Sequence, residues 1–372
     1  MKQRLNLLQV CRGFAAISVI LFHLGDTSKS YFGAIAFNNL FSHGFMGVDF
    51  FFVLSGFIIT YVHYSDIVNQ SNPFGFLKKR FVRIYPTYWA MATITLIVLV
   101  VVLHGKSPHL DHYMNIKSFT EWLYIIGCYL LLPLENRYFL ELAWTLSYEV
   151  IFYLLFFIAI IIGFKRARIL LIIWLLLIFG QGLLYNFHGI FIPKILDTIN
   201  IEFISGCMVA YLFKKSYRIP KLISYIVLIS VPLAFGIAAY ACNIDLTKTS
   251  LNVILLAGFN GILLYNVVVI DTYKKINCSK ILLLIGEASY SIYLSHAFLL
   301  GGFGRIFQKF VSVSHTTNGL VLQSILFVIF LLTVIGGIIF YKCVETPLTK
   351  YSKILVLKHD KVSAGNRIKT KV

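Results

Sequence analysis

The chain has 372 residues, 59% hydrophobic and 13% charged, with a mean hydropathy of +0.82. That balance excludes an ordinary soluble domain and predicts an all-α, polytopic integral membrane bundle. A formal charge of +18 would suggest nucleic acid in a soluble protein, but membrane proteins collect Lys and Arg in cytoplasmic loops, and no nucleic-acid partner is expected.

The N-terminus imitates a secretory signal, with Lys2 and Arg4 before an apolar run. Arg12 interrupts that run, no small-x-small site follows, and bulky Val10 spoils the lipoprotein-like LLQVC, so the first segment is expected to stay in the mature chain. At roughly 20 residues per crossing, spans are predicted at about 8–26, 43–62, 87–104, 143–163, 168–186, 199–213, 220–241, 250–270, 282–304 and 320–343. With the N-terminus inside, 24 of the 33 basic residues fall in inner loops and 8 in outer ones, Arg12 being the remainder. This asymmetry predicts ten spans with both termini cytoplasmic. WLYIIGCYLLLP (122–133) is too short to cross and is expected to be interfacial or re-entrant on the outer side. Residues 1–350 form one transmembrane domain in this reading, and 351–372 a basic cytoplasmic tail that can touch anionic lipid. Cys11, Cys128, Cys207, Cys242, Cys278 and Cys343 form no Cys-x-x-Cys pair and no regular spacing, so neither a zinc knuckle nor a disulfide framework is expected.

With no soluble catalytic domain in view, chemistry must come from polar residues within the spans. Arg12 and His23 in CRGFAAISVILFH are eleven residues apart, about three helical turns and ~16 Å of rise, and so share one face at different depths. That suits a long ligand; the plainer alternative is an arginine snorkelling to one interface and a histidine at the other. In GFMGVDFFFVLSGFIITY, Asp49 falls near the depth of His23, where a carboxylate would orient the imidazole as a general base, unless it pairs locally. Ser55-Gly56 in the same helix permits close packing. Arg80 and Arg83 in FLKKRFVRIYPTYW are one turn apart and can hold phosphates, or serve as an ordinary positive-inside anchor beside Tyr85, Tyr88 and Trp89.

AWTLSYEVIFY carries Tyr148 and Glu149, and IGEASYSIYLSHAF carries Glu287, Ser289, Tyr290, Tyr293 and His296. Ser289, Tyr293 and His296 form a stripe that lines a cavity or glues helices. The outer set His104, His109, Asp111 and His112 matches no zinc pattern, and no metal is expected.

These elements together resemble the acyltransferase-3 membrane acyltransferases. The carriers are Arg-x10-His at Arg12 and His23, GVDFFFVLSGFIIT at 47–60, Arg-x-x-Arg-Ile-x-Pro at 80–86, WTLSYEVIFYLL at 144–155, IGEASYSIYLSH at 285–296 and VETP at 344–347. In order, they cover nearly the whole chain. The resemblance is strongest to exopolysaccharide and O-antigen acetyltransferases of the bacterial inner membrane. It implies transfer of an acyl group, usually acetyl from acetyl-CoA as a cosubstrate with no permanently bound cofactor, to a hydroxyl of a surface polysaccharide or lipid-linked glycan. It further implies that His23 is the essential histidine and that Arg12, Arg80 and Arg83 handle the CoA end. Ser55, Tyr148, Glu149, Glu287, Tyr290, Tyr293 and His296 remain candidates for lining the substrate path. Asn6-Leu-Leu-Gln-Val-Cys-Arg-Gly departs from the family's Leu-Asp-x-Leu-Arg-Gly by lacking the acid. No hydrolase-like domain is fused on in this reading, which makes the chain the single-domain type. The competing function is a transporter or flippase for a lipid-linked glycan, because polar residues in spans also mark substrate pathways.

Overall fold

The computed structural model describes residues 5–105, 114, 118–134, 138–180, 191–215, 219–241, 250–273, 276–311 and 319–356. Among these every regular element is helical: α1 (Asn6–Phe32), α2 (Met46–Val68), α3 (Pro73–Ile97), α4 (Phe119–Tyr129), α5 (Ala143–Ile162), α6 (Phe164–Phe179), α7 (Phe191–Leu196), α8 (Asn200–Lys214), α9 (Lys221–Ala241), α10 (Ser250–Tyr273), α11 (Lys280–Glu287), α12 (Ser289–Val311) and α13 (Gly319–Phe340). Among the described residues, six helical stretches are long and apolar enough to cross a membrane: Asn6–Phe32, Met46–Val68, Pro73–Val102, Ala143–Ile162, Ser250–Tyr273 and Gly319–Val356. The pair α11 and α12, bent by 72°, brings the number to seven if taken as one span. The protein is therefore a multi-pass helical membrane protein.

Several element boundaries differ from the sequence expectation. The span predicted at about 282–304 is broken at Ala288, between α11 and α12. The helix predicted from 87 starts at Pro73, where Asn72 accepts the Gly75 N–H at 3.1 Å and proline takes the first helical position. Arg80 and Arg83 thus lie inside α3 rather than in a loop before it, and Pro86 is accommodated within the helix. The crossings predicted at 168–186 and 199–213 correspond to α6 and α8, of 16 and 15 residues, and residues 181–186 of the first lie outside the described residues. The WLYIIGCYLLLP segment is the 11-residue α4 and the turn after it. His109, Asp111, His112 and most of the tail lie outside the described residues.

The chain divides into two compact units, one of residues 1–64, 171–185 and 196–338, the other of 65–170, 186–195 and 339–372. In the first, Phe50, Val53, Leu54 and Phe57 of α2 pack with Val209 of α8 and Leu264 and Val268 of α10. Gly56 and Gly206 let α2 and α8 meet backbone to backbone: a Cβ on Gly56 would stand 2.1 Å from the Phe203 carbonyl oxygen, and one on Gly206 1.9 Å from that of Val53. Helix α1 starts where the Asp271 carboxylate accepts the Leu8 N–H at 3.0 Å, replacing the N-cap side chain that its own sequence lacks. It ends at Gly33, whose φ of 62° suits a helix C-terminus.

In the second unit, Phe76 of α3 packs on Phe156 of α5, with ring centroids 5.1 Å apart. Tyr88 donates to the Cys128 carbonyl at 2.6 Å, the Trp89 indole N–H to the Tyr129 carbonyl at 2.9 Å, and Tyr85 to the Leu130 carbonyl at 3.1 Å. These carbonyls lie at the C-terminal end of α4, where intrahelical donors run out, and that of Cys128 also accepts the Leu131 N–H at 3.0 Å. The three aromatic residues therefore hold α4 in addition to any role at an interface.

Candidate functional site

In the first unit, α1 carries Arg12 and His23 on one continuous helix, about 16 Å apart along its axis. Arg12 Nη1 donates to Gln9 Oε1 at 3.1 Å. The His23 ring lies 5.2 Å from the ring of His296, tilted by 38°, and 5.0 Å from Phe22 in an edge arrangement. Its Nδ1 faces Asp26 Oδ2 at 3.5 Å, an electrostatic contact longer than a tight hydrogen bond. A carboxylate on Nδ1 favours the tautomer that leaves Nε2 as the base.

His296 is fully buried, and its Nδ1 lies 2.6 Å from the Tyr293 carbonyl oxygen. Tyr293 packs against both Phe51 of α2 and His296, at 6.0 and 5.6 Å between ring centroids. Asp49, in the first turn of α2, is 1% exposed. Ser289 is buried at the start of α12, so the predicted stripe of Ser289, Tyr293 and His296 occupies one helix. Glu287 closes α11 at the bend and Tyr290 follows it, both half-buried, as is Ser55 in α2.

The approach of α1 to α11 and α12 follows from two glycines. A Cβ on Gly286 would stand 2.0 Å from the Gln9 carbonyl oxygen, and one on Gly13 3.2 Å from the Gly286 nitrogen. The helix bearing His23 is thus held near backbone contact with the segment leading into His296.

The other predicted residues belong to the second unit. Arg83 Nη1 donates to Glu345 Oε1 at 2.8 Å; the Glu345 side chain is 4% exposed and that of Arg83 38%. The Arg80 guanidinium lies 5.8 Å from the Phe76 ring centroid and 5.9 Å from that of Tyr153, while Tyr153 donates to Glu149. Two arginines one turn apart, with one fork fixed by a buried acid and the other laid over aromatic faces, are pre-positioned cations suited to phosphate oxygens. Tyr148 is buried, and its ring lies 5.3 Å from Lys194 Nζ, which also donates to Ser147 Oγ at 2.7 Å and Tyr138 Oη at 3.3 Å.

Sequence reasoning singled out neither Asp26, Lys194, Tyr153 nor a role for Glu345. Glu345 sits in the VETP element, so an acid beside the last span was a usable signal. Lys194 offered none beyond being a lone base in a loop. Among the described residues, no group of three or more His, Cys, Asp and Glu is placed to hold a metal ion.

Residues 5–342 match the family described as acyltransferase domain. Over 371 aligned residues the chain is 27% identical to the O-acetyltransferase OatA of Staphylococcus aureus (strain NCTC 8325 / PS 47), covering 91% of this chain and 56% of that protein. It is 26% identical over 346 residues to the exopolysaccharide production protein ExoZ of Rhizobium meliloti (strain 1021), covering 89% of this chain and 95% of that protein. The chain thus spans a little over half the length of the staphylococcal relative. No solved structure matches it. A family match across nearly the whole length, on a helical membrane scaffold that carries the Arg12–His23 helix and the Arg80/Arg83 pair, shows that the chain belongs to the acyltransferase-3 family.

Proposed function

We propose that the protein is a membrane-bound O-acyltransferase that moves an acetyl group from acetyl-CoA to a hydroxyl of a surface polysaccharide or lipid-linked glycan in the bacterial inner membrane. In this reading the chain crosses the bilayer ten times with both ends cytoplasmic, 1–350 forming the catalytic domain and 351–372 a basic tail. The observation that carries the reading is the His23 imidazole on an apolar helix, with Asp26 at its Nδ1 and a second imidazole beside it. His23 takes the proton of the sugar hydroxyl as its oxygen attacks the thioester carbonyl, and Asp49 assists in orienting it. Arg12, Arg80 and Arg83 neutralise the phosphates of the donor. The ~16 Å between Arg12 and His23 is on the order of a pantetheine arm, which supports a donor whose charged head and reactive end lie at different depths. Ser55, Tyr148, Glu149, Glu287, Tyr290, Tyr293 and His296 are the candidates for lining the substrate path in this reading. The printed names of the relatives, an O-acetyltransferase and an exopolysaccharide production protein, support this chemistry and acceptor class.

Membrane vesicles containing the full chain, supplied with radiolabelled acetyl-CoA and the host polysaccharide, are expected to acetylate the polysaccharide and release free CoA. His23→Ala vesicles are expected to do neither. Glycan translocation without consumption of acetyl-CoA would overturn the proposal in favour of a flippase.

A further inference from the structure

The proposed reaction uses His23 but leaves its buried neighbour without a chemical role. His296 is 0% exposed, and its Nε2 has no hydrogen-bond partner among the described residues. Its Nδ1 is 2.6 Å from the Tyr293 carbonyl oxygen. A carbonyl can only accept, so Nδ1 carries the proton and Nε2 keeps its lone pair. A buried acceptor left in that state is costly, and a leucine or phenylalanine would fill the same volume without the cost. The ring of His23 lies 5.2 Å away, tilted by 38°. Asp26, the acid at His23 Nδ1, has a side chain 61% exposed, so its stabilisation of a charged imidazole is weakened by water.

Resting on the acyltransferase reading above, we infer that His296 is a positioning residue for His23, the lone pair on its unpartnered Nε2 stabilising the imidazolium that His23 becomes during acyl transfer. The acceptor O–H bond breaks as its oxygen bonds to the acyl carbon, and the proton passes to His23. The carbon–sulfur bond then breaks and the departing thiolate takes that proton, returning His23 to neutrality. Between these events the His23 imidazolium lies beside the lone pair of a fully buried imidazole, whose low-dielectric surroundings strengthen its attraction for the charge. Tyr293 has two parts in this arrangement. Its carbonyl fixes the tautomer of His296, and its ring packs against the same imidazole.

Three substitutions separate this role from packing. His296→Gln places an amide oxygen near the Nε2 position, His296→Asn places its amide near Nδ1 and keeps a donor for the Tyr293 carbonyl, and His296→Phe keeps only the volume. The assay is acetyl transfer in vesicles containing the full chain, with kcat and the KM for acetyl-CoA measured separately and the thermal midpoint of each variant recorded in detergent. The expected result is a kcat for His296→Gln within about tenfold of wild type, and kcat for Asn and Phe lowered by about 100-fold or more. The KM for acetyl-CoA stays within about twofold throughout, as for a residue acting only once charge develops. Asparagine performing as well as glutamine, or phenylalanine retaining wild-type kcat, would overturn the inference. A wild-type chain that transfers no acetyl at all would instead sink the acyltransferase reading on which the inference rests.

Discussion

Replacing Gly286 by alanine tests whether the seating of α1 on α11 sets the position of His23. A Cβ at this position would stand 2.0 Å from the Gln9 carbonyl oxygen, and ordinary contact begins at 3.4 Å, so α1 and α11 must separate by at least about 1 Å. The obstacle is backbone rather than the tip of a side chain, so no rotamer change relieves it; overpacking of this kind costs about 1–3 kcal/mol. Because α1 carries both Arg12 and His23, the same displacement of about 1 Å should lower catalysis by about 100-fold. The expected outcome is a lower thermal midpoint in detergent together with that loss of acetyl transfer, with larger effects for Gly286→Val. An alanine variant with wild-type midpoint and at least half the wild-type rate would show that the α1–α11 contact does not position the histidine.

Glu345→Gln removes the carboxylate from a pair in which Glu345 is buried and Arg83 is 38% exposed. Partial exposure places the destabilisation below the 3–5 kcal/mol of fully buried pairs, at about 2 kcal/mol, and the KM for acetyl-CoA should rise as the arginine fork loses its orientation; thermal scans and donor titrations check the two effects. Tyr88→Phe removes the 2.6 Å donor from the Cys128 carbonyl, which keeps the Leu131 N–H, and is expected to cost about 0.5–1.5 kcal/mol, read as a lower midpoint, while Tyr88→Trp should fail to restore it. Burial pushes the Cys128 thiol up to about 11, so at pH 8 very little of it is thiolate. Maleimide labelling of Cys128 should therefore be slow in the folded protein and speed up on unfolding in SDS. Rapid labelling of the native protein would contradict the burial of α4 against α3.

The legible parts of the site were those fixed by local geometry. The 3.6-residue period alone put Arg12 and His23 on one face of one helix, and Arg80 and Arg83 one turn apart, and the structure keeps both arrangements within single helices. The start of α3 was misplaced because hydropathy marks where a helix becomes apolar, whereas its first turn is set by Asn72 and Pro73. The break at Ala288 was invisible because Glu287 and Ser289 beside it read equally well as polar positions along one helix, and residue spacing carries no record of a 72° bend. Asp26 escaped notice because it lies three residues past His23, at the last position of the span predicted at about 8–26, where an acid reads as a solvated helix end.

By itself the sequence determined that the chain is helical, apolar and built for a bilayer, since composition and periodicity act residue by residue and need no knowledge of neighbours across the fold. It also determined which side chains bring charge into the spans. Only the tertiary structure decided their partners: His296 beside His23, and Glu345 on Arg83, 262 residues away along the chain. Such pairings depend on which helices approach closely enough to touch. In the first unit, that closeness is set by the missing side chains of Gly56, Gly206 and Gly286, a steric effect that appears only when two backbones meet.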